Sequence, residues 1–194
     1  MDRMLSIVAA LMSLVLPGGA GQATVSLPVP TPIGTGAAFR LPAAGPAVRA
    51  ARPVAGMDCR PTSAPRTTMH LELFARGRVV IVPAGIGVAP PVRREGAHVV
   101  GGRCTYPIHT LAPTGVAQVP AGGRATLGQL FAVWGQPLGP ATMAGFRGRV
   151  HAYVDGLPVT GDVRRIPLRS HAEVVIESGR FVPPHDSFQF PEGS

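Results

Sequence analysis

Two cysteines and two histidines are the first residues whose types suggest chemistry: Cys59, Cys104, His70 and His109. Two imidazoles with two thiolates would make an N2S2 set suited to zinc or copper. The spacing argues against it. Cys104 and His109 stand five apart, and neither C-x-x-C nor H-x-x-x-H occurs. In an oxidising compartment Cys59 and Cys104 would form one disulfide instead, leaving His70 and His109 as the remaining donors. Closing a loop of that length contributes on the order of 4 kcal/mol in the chain-entropy model. Both fates of the thiols stay open at this point.

Nucleophilic and acid–base chemistry find less support. Ser63, Ser170, Ser178 and Ser187 lie in loop-like stretches, and none sits in a G-x-S-x-G elbow. Glu173 and Glu177 are four apart near a strand whose alternation places them at the surface, with no second carboxylate facing a shared substrate. The glycine-rich Ala84-Gly85-Ile86-Gly87 lacks the spacing and the lysine of a phosphate loop. The expectation is no enzyme. Arg103, Tyr106 and His109, grouped in one irregular stretch, are instead the expected contacts with a protein or polysaccharide ligand.

Positioning these residues requires a folded domain, and the chain divides into regions. Leu5 to Leu16 is a twelve-residue apolar run after Arg3, broken by Pro17-Gly18-Gly19 and followed by small residues. That is too short for a membrane span, which needs about 20 residues, and reads as a signal peptide over 1–23. The protein is therefore expected to be exported, periplasmic or secreted, without a stable transmembrane anchor after cleavage. Residues 24–66 are rich in proline and alanine and read as an extended tether. The net charge of +8 comes entirely from arginine, with no lysine, scattered singly or in pairs. It forms no basic stripe with aromatics, so no nucleic acid partner is expected.

Order begins near Met69. His70 to Phe74 alternates as a half-buried strand, Arg76-Gly77 turns, and Arg78 to Val82 returns as a second strand. Residues 89–124 form an irregular insertion, with short strands expected at 97–100 and 115–119. Thr126 then caps a helix whose Leu127, Leu130, Phe131 and Trp134 fall on one stripe, stopped by Gly135 and Pro137. Arg149 to Val154, the turn Asp155-Gly156, a short return at Leu157 and a closing strand at Ala172–Ile176 complete the domain, taken as 67–180. Residues 181–194 read as an irregular C-terminal tail.

Hairpin, helix, strand, short strand, strand is the β-grasp order. The segments V79-V-I-V-P-A-G, T126-L-G-Q-L-F, V150-H-A-Y-V-D-G and I166-P-L-R-S-H-A-E-V-V-I resemble the small sulfur-carrier proteins of thiamin and molybdopterin synthesis. The resemblance implies an α+β fold, a ubiquitin-like mixed sheet on one helix with an inserted cysteine-bearing segment. It does not imply sulfur carriage, because the carriers use a C-terminal Gly-Gly where Ser178-Gly179-Arg180 stands here. P83-A-G-I-G, C104-x-Y-x-x-H-T and T126-L-G-Q-x-F-x-x-W-G-Q also resemble a poorly characterised exported bacterial family with additional histidines. Arg66 and Thr68 stand where that family places histidines beside His70. Leu111, Ala112 and Gln118 replace His, Asp and His of the second cluster. The function expected is a non-enzymatic exported binding domain, or alternatively a copper- or zinc-binding protein with a reduced ligand set.

Overall fold

The computed structural model describes residues 36–61, 66–122 and 124–191, so the signal peptide read over 1–23 lies outside the described residues. The domain is α+β and mostly sheet. Its eight-stranded sheet comprises β1 (Phe39–Arg40), β2 (Arg66–Ala75), β3 (Arg78–Ile81), β4 (His109–Thr110), β5 (Val116–Pro120), β6 (Val150–Val154), β7 (Leu157–Pro158) and β8 (Glu173–Ser178). The order is β1-β3-β2-β8-β6-β7. Strand β2 is the axis. It runs parallel to β8 with His70 opposite Glu173, and antiparallel to β3 through Phe74 and Ala75. Along its first half it pairs antiparallel with β5, and β5 in turn pairs with β4.

Local chemistry explains the hairpins. Arg76 and Gly77 both take positive φ, 56° and 75°, as do Asp155 and Gly156 at 51° and 75°. Two successive left-handed residues give the turn whose twist matches the flanking strands. Thr126 caps α2 (Leu127–Trp134) through a reciprocal capping box with Gln129, and Gly135 closes it in the left-handed conformation. The expected stripe of Leu127, Leu130, Phe131 and Trp134 is fully buried. It meets Met69, Leu71, Leu73 and Ala75, one parity of β2, together with Val174 and Ile176 of β8. This is the main core.

The stretch read as a tether needs correction. Over 36–61 it belongs to the fold: β1 pairs parallel with β3, and Val48 of α1 (Pro46–Arg49) is 1% exposed. Proline denies this segment long ladders but leaves its carbonyls free as acceptors. The indole Nε1 of Trp134 donates to the Pro42 carbonyl at 2.8 Å, and the Tyr106 hydroxyl donates to the Arg52 carbonyl. Gly45 and Gly135 lie backbone against backbone, so that a Cβ on Gly135 would come within 2.6 Å of Gly45 Cα. Cys59 is bonded to Cys104, with Cα atoms 5.4 Å apart across 45 residues. A disulfide fits an oxidising, non-cytoplasmic setting. No helix among the described residues is long and apolar enough to cross a membrane.

The insertion 89–124 builds more sheet than expected. Its strands at His98–Gly101 and Val116–Pro120 match the expected positions within a residue. The second of them joins the main sheet by pairing with β2.

Candidate functional site

The other parity of β2 presents His70, Glu72 and Phe74 to the face away from α2. From β8 the same face receives Glu173, Val175 and Glu177, because His70 pairs with Glu173 and Phe74 with Glu177. A bare sheet would leave these groups in water. Instead, the C-terminal segment, irregular from Arg180 to Pro191, folds back across them. Val182 buries itself with Phe74 and Val175, and its N–H donates to Glu177 Oε1 at 3.1 Å. The Phe188 ring stacks on the His70 imidazole with centroids 3.8 Å apart, and Phe188 and Phe190 meet edge to face at 4.9 Å. Glu173 and Glu177 are each 1% exposed. The surface expected for them from alternation is the covered surface.

Beneath the segment lies a compact polar cluster. His70 Nδ1 is 2.6 Å from Glu173 Oε2, with side chains 5% and 1% exposed. His70 Nε2 is 2.8 Å from the Thr114 carbonyl oxygen. A carbonyl can only accept, so Nε2 carries a hydrogen, and one proton is held across the short Nδ1–Oε2 contact. Gly115, at φ 83°, makes this approach possible, since a Cβ there would sit 2.7 Å from His70 Nε2 and 2.6 Å from the Leu71 carbonyl oxygen. His185, on the covering segment, places Nδ1 at 2.9 and 2.7 Å from the two Glu72 carboxylate oxygens. Donor atoms of His70, Glu72 and Glu173 all fall within 4.8 Å of one another.

Burial raises the Glu173 pKa above the usual carboxylate range, opposed by its bond to His70 and reinforced by Glu72. The second Glu173 oxygen, Oε1, is buried with no hydrogen-bond partner among the described residues. Leaving such an acceptor unsatisfied costs about 1–3 kcal/mol. Glu177 is raised as well, again by burial, against the Val182 N–H that stabilises its charge.

The expected pair His70 and His109 does not converge. Strand β5 lies between β2 and β4, and the ladder sets His70 opposite Val116 but His109 opposite Gln118. Two strand spacings of about 4.8 Å already separate them beyond a shared ligand. His109 is 2% exposed, with Nδ1 3.1 Å from the Tyr106 carbonyl and Nε2 3.4 Å from Arg66. Burial, then the neighbouring Arg66, lowers its pKa to about 4, against the raising effect of its bond to the Tyr106 backbone.

Tyr106 is 0% exposed, so neither it nor His109 can serve as a surface contact. Tyr106 packs under the disulfide-linked segment, which claims its hydroxyl. Arg103 does lie at the surface, with its guanidinium 3.4 Å from the Arg49 carbonyl. With the cysteines bridged, no N2S2 set exists.

Sequence reasoning therefore named His70, weighed Glu173 but set it at the surface, and missed Glu72 and His185. The parallel register of β2 and β8 was the signal for Glu173. Comparison with family models, with curated proteins and with solved structures found no match.

Proposed function

We propose that this protein is an exported β-grasp domain that binds a ligand on the covered back face of its sheet without turning it over. The strand path β3-β2-β8-β6-β7, with its two central strands parallel and one helix between the hairpin and β6, supports the β-grasp, ubiquitin-like reading. The signal-like N-terminus and the disulfide support export. The ligand would be met outside the cytoplasm, and the arginine distribution argues against nucleic acid.

One observation carries the reading. Four titratable side chains are gathered between the sheet and an irregular segment, His70, Glu72 and Glu173 from the strands and His185 from the segment, while the opposite face of the same strands packs Met69, Leu71, Leu73, Val174 and Ile176 into the apolar core. A back face built for stability alone would be filled with aliphatic residues, since buried ion pairs rarely repay their desolvation. Polar groups kept at that cost mark functional sites. The binding reading over turnover is supported by the donors themselves. His70 and Glu173 engage one another, and both cysteines are committed to the disulfide.

The test is apolar replacement. The double variant His70→Leu/Glu173→Leu is expected to keep or raise the thermal midpoint, because it removes a desolvation penalty and an unsatisfied oxygen. A midpoint lowered by more than about 3 °C, roughly 1 kcal/mol for a domain of this size, would show a structural network and overturn the proposal.

A further inference from the structure

The donor set of the back face defines the class of ligand, an inference that rests on that face being a binding site. We propose that it holds one divalent transition-metal ion of the zinc type, bound by His70 Nδ1 and the carboxylates of Glu72 and Glu173, with His185 of the covering segment as the fourth ligand.

Four arguments converge. His70 already has the orientation of a metal ligand: its Nε2–H is anchored on the Thr114 carbonyl, which fixes the ring and turns Nδ1 toward Glu173 and Glu72, so that an ion would displace the proton shared by Nδ1 and Glu173. The donor atoms of His70, Glu72 and Glu173 lie within 4.8 Å of one another. Tetrahedral zinc with bonds of about 2.0–2.1 Å needs its ligands about 3.3 Å apart, so small side-chain movements suffice. Glu173 Oε1 is a buried acceptor that no hydrogen bond satisfies, and a cation is what such an oxygen lacks.

The charges agree as well. Two carboxylates share a site from which water is largely excluded by the stacked Phe188, and a doubly charged ion would neutralise both. The elements discriminate among metals. Two imidazoles and two carboxylates suit zinc, whereas calcium takes six to eight oxygen ligands and cuprous ion prefers sulfur.

The fourth ligand gives the segment a role. His185 reaches Glu72 from the segment, and Phe188 covers His70, so the ion could not enter without displacing both. Loading would thus require the segment to lift and would fasten it on closing, because one ligand travels with it. Ordered zinc and a closed segment are the same state.

The experiment is calorimetric titration of zinc chloride into the full-length exported protein after chelator treatment and dialysis, with limited proteolysis of residues 180–191 in parallel. One zinc per chain with Kd below about 10 μM is expected, together with slower cleavage of the segment when zinc is added. His185→Ala and Glu72→Gln, which leave the buried His70–Glu173 pair intact, should each weaken binding at least about tenfold. His70→Ala should weaken it more, and the other two variants carry the test should it fail to fold. Absence of binding at that affinity, or binding unchanged in both His185→Ala and Glu72→Gln, overturns the metal assignment. The apolar replacement above reads the site itself through stability without added metal, so the two failures are distinguishable.

Discussion

The two faces of one sheet are covered in different ways. On one side, Met69, Leu71 and Leu73 of β2 meet the capped helix α2 in a closed, buried apolar core. On the other, His70, Glu72 and Phe74 of the same strand meet an irregular chain through a ring stack, a histidine–carboxylate bond and one buried valine. The alternation of β2 separates the two by a single residue step. One parity supplies the stability of the domain, and the other supplies groups that stability alone would not select. A helix holds its own backbone hydrogen bonds and is fastened by area, whereas the C-terminal segment is fastened largely by the side chains it covers. The difference teaches that the second cover can open while the first stays shut.

The comparison can be broken most forcefully from the helix side. Trp134→Ala removes a fully buried indole and its bond to the Pro42 carbonyl, and is expected to cost about 3–5 kcal/mol. Chemical denaturation should show it, with both faces lost in one transition. The disulfide sharpens the contrast further. Cys59→Ser/Cys104→Ser should lower stability by up to about 4 kcal/mol through the entropy of a 45-residue loop. The histidine–glutamate bonds of the back face should persist in the folded variant. An unchanged denaturation midpoint would refute the staple.

A pH series separates the back face from the buried histidine of β4. The pKa of His109 falls from 6.5 to about 4 on folding, so the unfolded chain binds the proton more readily. Its contribution is fully present above pH 6.5 and is lost as pH falls toward 4, on the order of 3 kcal/mol in all. Urea midpoints measured across that window should decline more steeply for the native chain than for a folded His109→Asn variant, and equal slopes would remove His109 as the cause.

Much of the helix side was legible in the sequence because its signals are local. The i, i+3, i+4, i+7 stripe, Thr126, Gly135 and the Arg76-Gly77 and Asp155-Gly156 turns each act within a few residues. The back face depends on contacts of long range. Alternation shows that Glu173 and Glu177 share a face, but not that a proline-containing segment returns to cover it. His70 is identifiable as a possible ligand, yet its partners come from β8, β2 and residue 185, over a hundred positions away in two cases. His109 and Tyr106 look like surface contacts for the same reason. The chain over 36–61 that takes the Tyr106 hydroxyl and the Trp134 indole has no periodicity to announce that it packs, because it binds through isolated carbonyls.

Native-state hydrogen exchange compares the two covers most directly. The Val182 amide, bonded to Glu177, should exchange through a local opening whose free energy lies well below that of the Leu130 amide inside α2, which should exchange only on global unfolding. Equal protection at the two amides would mean that segment and helix open together, and would contradict an independently opening cover over the His70 site.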